Sequence, residues 1–466
     1  MTMQITSERA KIEGRKQADA LSKSTVEREL TSLATAEPVA ADNPQPNMTP
    51  QPWVPLFGWN VRLPMGMRAL RHRNFRLFWT GQLVSLVGTW MQMVARGWLV
   101  LELTHSPFWL GMVGFANSVP VLLLSLWAGA IADSVSKRRL VIVTQVVSMV
   151  MAFILAALTF TNTVEVWHIL AVSVVLGTAF AFDGPTRQAF TVEMVNGKED
   201  LMNAVALNSA IFNGARVLGP AIGAVALALQ GPGLAFLLNG LSYLAVLYGL
   251  FKMDVREPKK KADSKSGKQI LDGLRFVAGD KIIGPLMIIV SVVSVFAFPY
   301  VVLLPIFADT ILHVGETGYG TLMAFSGIGS LIGAVGLAFQ SGRSTVKRGR
   351  LVLIGSIGLP IFLAIFSLSP NYLLSLAMLV GIGWTMIAVN ATINTVVQTN
   401  VPDELRGRVN GVFAFLFIGM APFGNLQAGL IADHFGAPMA LLVGAVTSLV
   451  VIAFVLLKNR QIMSLA

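Results

Sequence analysis

The chain has 466 residues, of which 54% are hydrophobic and only 13% are charged. A soluble protein of this length has too little polar surface to cover so many apolar side chains, so the composition indicates a membrane protein. The formal net charge of +11 does not indicate a nucleic-acid partner, because the basic residues cluster beside hydrophobic segments. The absence of cysteine excludes disulfides and thiolate metal sites, and we expect no metal and no cofactor.

The first 67 residues differ from the rest of the chain. They are polar and of mixed charge, and six prolines fall between Pro38 and Pro55. Such a composition cannot bury enough apolar surface to order the chain, so we expect residues 1–67 to form a disordered cytoplasmic extension. No apolar stretch typical of a signal peptide occurs within it, and we do not expect cleavage there.

Twelve hydrophobic segments follow, each of roughly 18 to 28 residues and long enough to cross about 30 Å of hydrocarbon as a helix. Membrane-crossing strands would instead show alternating segments of about ten residues, so the predicted class is all-α. Helices 1 to 12 are expected at Arg76–Leu101, Phe108–Ala132, Leu140–Phe160, Trp167–Gly184, Asn203–Leu229, Leu234–Phe251, Ile282–Ala308, Tyr319–Gln340, Leu351–Ser367, Tyr372–Gln398, Val409–Ala432 and Pro438–Leu457.

The positive charges alternate between the two sides of these segments. Of the 35 Lys and Arg residues, 33 lie in the two tails or in every second connection, and the intervening connections carry none. Basic connections remain on the cytoplasmic side of a membrane. The pattern therefore predicts a multi-pass protein of the cell inner (plasma) membrane with both termini in the cytoplasm.

A long basic connection separates the helices into two sets of six, residues 68–251 and 282–457, followed by a cytoplasmic tail at 458–466. Within the connection, residues 252–281, apolar side chains recur at helical spacing from Ile270 to Val277. This pattern favours an amphipathic helix on the inner membrane surface, and a linker with transient helicity is the alternative. A duplicated bundle of this kind holds its site between the halves, near the midplane.

The end of helix 2 carries the sequence Gly129-Ala-Ile-Ala-Asp133-Ser-Val-Ser-Lys137-Arg138. It resembles the loop motif between helices 2 and 3 of the major facilitator superfamily, which implies twelve helices in two pseudo-symmetric halves and a gating role for Gly129, Asp133, Lys137 and Arg138. In the second half Gln340 stands in place of the acidic residue.

Three further segments narrow the resemblance to the enterobactin exporter and macrolide efflux branch of that superfamily: Asn74 to Gln82, Pro185 to Phe190 and Val401 to Arg408. In helix 5, Gly219-Pro220-Ala-Ile-Gly223 is similar to the antiporter motif of the same superfamily. The resemblance covers roughly residues 68–457 and implies export. Physically, Gly219, Pro220 and Gly223 permit close helix packing and a bend.

Asp133 is a candidate for a latch at the inner face. A two-fold arrangement brings it near the N-terminus of helix 11, whose partial positive charge favours a carboxylate. The alternative is an ordinary acidic residue in a surface turn.

Polar side chains inside the membrane helices predict a wet cavity, because each is costly unless it meets a partner or water. On helix 1 the polar residues share an arc of about 80° at 100° per residue. Helix 10 repeats the pattern, and helix 7 contributes a third wall. The predicted cavity residues are Gln82, Ser85, Thr89, Gln92, Arg96, Ser291, Ser294, Phe298, Asn390, Asn394 and Gln398. Hydrogen bonding between helices is the alternative for each of them.

Four charged residues lie within or near the helices. An unpaired Arg in a membrane helix costs at least about 2.5 kcal/mol. Arg96 lies toward the outer end and either reaches the interface or has a partner, whereas Arg216 is deeper and needs one. The nearest candidate is Asp183, which also precedes Arg187 by four residues across a predicted break at Gly184-Pro185. We expect Asp183, Arg187 and Arg216 to form an inner-side cluster that couples transport to protons.

The combined features predict a monomeric secondary transporter in the lipid bilayer. It would export a small amphipathic compound by alternating access, with protons as the coupling partner. No phosphate-binding loop and no nucleophile paired with a base occurs in the sequence, so we do not expect an enzyme. Uptake on the same fold and a membrane scaffold or sensor without transport are the alternatives.

Overall fold

The computed structural model describes residues 53–56, 59–62, 65–254, 266–340, 348–459 and 461–462. Most of the extension at 1–67 and of the tail at 458–466 lies outside these ranges. The described part of the extension forms two short strands, Trp53–Leu56 and Trp59–Arg62, which pair antiparallel. A 3₁₀ helix at Met65–Arg71 then leads into the first membrane helix. The expectation of disorder thus has its limit at this hairpin.

The all-α class and the twelve membrane-crossing helices are confirmed within the described ranges. Observed ends extend the predicted ones by a few residues, because helices continue past the hydrocarbon into polar caps. Helices 1 to 12 span Arg73–Thr104, Pro107–Ser134, Lys137–Phe160, Val166–Met194, Lys198–Gln230, Pro232–Lys252, Ile283–Ile311, Gly315–Gln340, Arg348–Leu368, Tyr372–Asn400, Glu404–Phe435 and Ala437–Lys458.

Helix 4 differs from the prediction most, because it continues through Pro185 to Met194. A proline removes one backbone donor and crowds the preceding turn, so the sequence predicted a break there. In membrane helices Ser and Thr side chains satisfy carbonyls near such a proline. The hydroxyl of Thr186 donates to the carbonyl of Phe182 at 2.6 Å. Asp183 and Arg187 therefore lie on one unbroken helix, one turn apart.

Helices 7 and 11 each contain a π-helical segment that the sequence did not predict, Val293–Ala297 and Phe415–Gly419. Helix 7 has a second one, Phe307–Ile311. The hydroxyl of Ser294 donates to the carbonyl of Phe417 at 2.7 Å, so the two widened turns bond to each other. Segments of this kind occur often at functional sites.

Two six-helix halves pack in the same way. In the first half, helix 1 contacts helices 5 and 6, helix 2 contacts helix 4, and helix 3 contacts helices 4 and 6. The second half repeats these pairings six helices later. Between the halves, helix 2 packs against helix 11 and helix 5 against helix 8. The pseudo-symmetry expected from the sequence is confirmed.

The connection between the halves contains the predicted helix, at Ser266–Gly279. It packs against the start of helix 11 and also contacts helices 2 and 7. A methyl group placed at Gly273 would lie 2.9 Å from the carbonyl oxygen of Arg408, so the glycine permits this close approach. This linker helix therefore rests partly on protein, whereas the sequence predicted a position on the membrane surface.

Candidate functional site

The two halves meet on one side of the bundle only. We call the side where helix 1 begins and helix 12 ends the terminal side. On the opposite side, the hydroxyl of Ser106 donates to Asp433 at 2.8 Å. Trp98 of helix 1 stacks on Tyr319 of helix 8, with ring centroids 6.3 Å apart and planes 24° apart. These contacts close the opposite side of the space between the halves.

Glycines on helices 2 and 11 show where the halves separate. A methyl placed at Gly111 would lie 2.7 Å from the Cα of Gly429, so the two backbones touch there. Gly129 and Gly411 lie on the same faces, five turns along each helix toward the terminal side. A methyl at either would meet no described atom within 4 Å outside its own helix. The two helices thus diverge and open a cavity toward the terminal side.

Helix 5 shows the same change from closed to open along its length. A methyl at Gly219 would lie 2.4 Å from the Cβ of Trp90, and one at Gly320 would lie 2.7 Å from the carbonyl oxygen of Pro220. Helix 5 therefore packs tightly between helices 1 and 8 at this level, as its glycines predicted. Nearer the terminal side, Phe212 is 47% exposed and Val205 is 55% exposed. The cavity ends where these contacts begin.

The polar stripe of helix 1 is directed mostly into its own half. Gln82, Ser85 and Gln92 are buried. Arg187 of helix 4 donates to the side-chain oxygen of Gln82, and Asn239 of helix 6 donates to that of Gln92 at 2.5 Å. For these residues the alternative of hydrogen bonding between helices describes the structure better than a cavity wall.

The remaining two residues of the stripe are more accessible. Thr89 is exposed, and its hydroxyl donates to the carbonyl of Ser85 at 2.9 Å. Arg96 is half-buried and donates to the hydroxyl of Ser173 on helix 4 at 3.3 Å. Arg96 thus has a neutral partner within the helices rather than a position at the interface.

Helix 10 places its polar residues along a partly accessible face. Asn394 is half-buried and Gln398 is exposed, and the amide of Gln398 donates to the side-chain oxygen of Asn394 at 2.6 Å. The amide of Asn390 donates to the carbonyl of Met386 at 3.0 Å. Its buried side-chain oxygen has no donor among the described residues. Asn390 therefore has an acceptor left to offer.

The predicted residues of helix 7 divide between packing and access. Ser294 is fully buried because it bonds to helix 11, and it does not line a cavity. Ser291 is half-buried and donates to the carbonyl of Met287 at 2.9 Å. The ring of Phe298, half-buried, meets the edge of Phe417 at 6.2 Å between centroids.

A buried acid lies on the terminal half of helix 4. Asp183 is the only Asp or Glu with a fully buried side chain in the described ranges. Its carboxylate accepts hydrogen bonds from Thr144 at 2.8 Å and from Gln145 at 3.1 Å, both on helix 3. It also forms an ion pair with Arg187, which bonds in turn to Gln82. One network thus joins helices 1, 3 and 4.

The predicted pairing of Asp183 with Arg216 is not observed. Asp183 lies 11 residues from the terminal-side end of helix 4, and Arg216 lies 18 residues from the corresponding end of helix 5. At about 1.5 Å per residue, this difference places the two residues about 10 Å apart in depth. The guanidinium of Arg216 instead faces the ring of Trp90, with its Cζ 5.7 Å from the centroid.

Two basic residues of the loop motif bind within their own half. Lys137 forms an ion pair with Glu193 of helix 4 at 2.5 Å. Arg138 donates to the carbonyls of Leu250 and Phe251, at 2.7 and 3.0 Å, at the end of helix 6. The side chain of Asp133 lies outside the described part of the structure, so its latch role stays a prediction.

Sequence reasoning missed the aromatic residues at this site. Trp98 and Tyr319 close the opposite side, and Trp90 and Phe212 meet edge to face at 5.8 Å beside Arg216. Aromatic residues in membrane helices also face lipid, so no pattern in one sequence distinguishes these four. Groups of three or more potential metal ligands are absent from the described residues.

Comparison with known proteins agrees with this architecture. Residues 65–464 match the family described as transmembrane secretion effectors. The staphyloferrin A transporter of Staphylococcus aureus is 27% identical over 83% of this chain and 96% of its own. The multidrug efflux pump Tap of Mycolicibacterium fortuitum is 28% identical over 76% and 88%, respectively. The enterobactin exporter EntS of Escherichia coli is 24% identical over 77% and 86%.

Solved structures show the same fold at low sequence identity. A bacterial homologue of the human lysosomal transporter Spinster, in an inward-facing and unoccupied conformation, aligns with a TM-score of 0.65 at 13% identity, over 84% of this chain and 98% of that one. The nucleoside transporter NupG aligns with a TM-score of 0.63 at 14% identity, over 84% and 99%. Twelve helices in two halves and the match across residues 65–464 agree. The chain belongs to the transmembrane secretion effector family of the major facilitator superfamily, whose members are transporters and not enzymes.

Proposed function

We propose that this transporter exports a small amphipathic organic compound in exchange for protons. The printed functions of its relatives favour export over uptake, since Tap is an efflux pump and EntS an exporter. These two relatives also differ in what they carry, which suits a cavity with few fixed polar contacts. Uptake remains the second candidate, because the staphyloferrin A transporter's name gives no direction.

The direction of opening supports the proposal. Every basic connection lies on the terminal side, so the positive-inside rule makes that side cytoplasmic. The cavity opens to the same side. This conformation is the one in which an exporter would load its substrate. Alternating access would then open the contacts around Ser106, Trp98 and their partners, and close the terminal side.

Asp183 carries the proposal of proton coupling. It is buried, and its ion pair with Arg187 lies beside the cavity on the terminal half of the helices. A buried carboxylate whose charge partner moves away between two conformations takes up or releases a proton as a result. In this scheme, protonation of Asp183 releases Arg187, and Gln82 of helix 1 follows the change through its bond to Arg187.

An accumulation assay in a pump-deficient host tests the proposal. Cells that express the protein should accumulate less of at least one compound in an amphipathic panel, and a protonophore should abolish the difference. Asp183→Asn should also abolish it, whereas Asp254→Asn, an exposed residue after helix 6, should not. Increased accumulation would show uptake, and no change with any compound would favour a scaffold. Protonophore-sensitive export by Asp183→Asn would eliminate the coupling role.

A further inference from the structure

The charge of Arg216 has no counter-ion within the described structure. No Asp or Glu with a described side chain lies within 4 Å of its guanidinium, and its recorded interaction is with the face of Trp90. The other half-buried Arg of the membrane interior, Arg96, has the Ser173 hydroxyl as a partner. Arg187 has Asp183. Arg216 is thus a charge in the membrane interior with room for an anionic partner.

Arg216 lies at the closed end of the cavity. Helix 5 contacts helix 1 through Gly219 and helix 8 through Pro220, which follow Arg216 by three and four residues. At 100° per residue, Arg216 projects between these two directions, into the space between the halves. One turn nearer the terminal side, Phe212 is exposed. A molecule that enters the cavity meets Arg216 where the halves close.

The surroundings of Arg216 are aromatic. Trp90 lies against its guanidinium, and the ring of Phe212 meets Trp90 at an interplanar angle of 75°. The attraction between an aromatic face and a guanidinium holds the charge in place without neutralising it. The five N–H donors of an Arg suit the oxygens of a carboxylate, which they bind in pairs. Phe212 offers apolar surface beside the donors.

We propose that Arg216, Trp90 and Phe212 form a subsite for a carboxylate group attached to an apolar body. The inference rests on the proposed transport function and names the chemical class of its substrate, an amphipathic organic anion. Asp183 does not compete for this role, because Arg187, Thr144 and Gln145 already surround it. The closed end of the cavity therefore carries net positive charge and disfavours organic cations.

Binding to the purified full-length protein tests the subsite directly. Three probes share one naphthalene ring: 2-naphthylacetate is anionic, 2-naphthylacetamide is neutral and 2-(2-naphthyl)ethylammonium is cationic. Equilibrium dialysis against the protein in lipid nanodiscs, corrected for empty nanodiscs, gives a Kd for each. We expect the anion to bind about tenfold more tightly than the amide, the ratio typical of one charge-assisted hydrogen-bonded contact. An anion that binds no more tightly than the amide overturns the proposal without any variant.

Variants then assign the preference to Arg216. Arg216→Gln should remove the difference between anion and amide, and Arg216→Lys should retain part of it, because Lys keeps the charge but not the paired donors. Arg139→Gln removes the same charge from an exposed position at the start of helix 3 and should keep the full preference. A preference that survives in folded Arg216→Gln would overturn the assignment.

Transport and binding outcomes separate the two proposals. If cells export neutral and cationic compounds as well as anions, export stands and the anionic subsite fails. If cells move none of the compounds but the purified protein prefers 2-naphthylacetate through Arg216, the subsite stands and the proposed export fails.

Discussion

The hydroxyl of Ser106, just before helix 2, donates a 2.8 Å hydrogen bond to the carboxylate of Asp433 near the end of helix 11. The two residues are 327 positions apart and belong to different halves. Their bond is the outermost contact described between helices 2 and 11. Alternating access requires these helix ends to separate, so the distance between Ser106 and Asp433 should report the transport cycle.

A cross-link between these positions should stop transport. The chain has no cysteine, so the double variant Ser106→Cys, Asp433→Cys introduces a single possible disulfide. Oxidation should reduce transport to background, because the opposite side can no longer open, and reduction should restore it. Transport is measured in vesicles before and after oxidation, with the cross-linked fraction read from a gel after cleavage between the halves.

A pair within one half provides the control. Asn208 of helix 5 donates to Thr191 of helix 4 at 3.2 Å, on the terminal side of the first half. The double variant Thr191→Cys, Asn208→Cys should retain transport after oxidation, since these helices move together. Full transport by a completely cross-linked Ser106, Asp433 pair would contradict a cycle that opens this side.

Close helix packing in the first half should depend on Gly177. A methyl placed there would lie 2.0 Å from the backbone oxygen of Asn117, so helices 2 and 4 would have to separate. We expect Gly177→Ala to lower the free energy of unfolding by about 1 to 3 kcal/mol, as overpacking usually does. Thermal unfolding of the purified protein measures the effect.

Gly214→Ala is the matched substitution. A methyl at Gly214 meets nothing within 4 Å outside its own helix, and alanine favours a helix over glycine by about 1 kcal/mol. The melting temperature should stay the same or rise. Equal losses of stability in the two variants would mean that the contact of Gly177 with Asn117 is not tight.

The fold followed from the sequence because apolar length and alternating charge depend on the membrane itself and not on particular contacts. The site followed only in part. Helix 1 showed a polar face, but periodicity does not tell which neighbour that face meets. Gln82 and Gln92 therefore seemed suited to the cavity and instead bond to Arg187 and Asn239 of their own half.

Charge pairs show the same limit. The spacing of Asp183 and Arg187 predicted contact along one helix, and they form an ion pair. The expected approach of Arg216 depended on the relative depth of two helices, for which the sequence holds no local signal. The partner of Arg216 is the aromatic ring of Trp90, a type of residue that the count of polar groups passed over.

The ion pair of Lys137 with Glu193 tests whether the basic part of the loop motif acts within its own half. Both side chains are mostly buried, at 14% and 23% exposure, with 2.5 Å between Nζ and Oε1. Lys137→Glu places two like charges together and should reduce both thermal stability and transport. Adding Glu193→Lys should restore both, because the reversed pair makes the same contact. Recovery of stability without transport would indicate that Lys137 also acts on the other half.

Asp133 should be essential for transport because of its position at the end of helix 2. The N-terminus of helix 11 faces this end in a two-fold arrangement, and its partial positive charge favours a carboxylate by about 0.3 to 1 kcal/mol at an exposed site. Asp133→Asn keeps the size of the side chain and removes the charge, so the terminal side should close less readily and export should fall severely. Export is measured at matched expression, beside Asp254→Asn as a control for the loss of one negative charge. Full activity of Asp133→Asn would contradict the latch, and Asp133 would then be an ordinary residue of a surface turn.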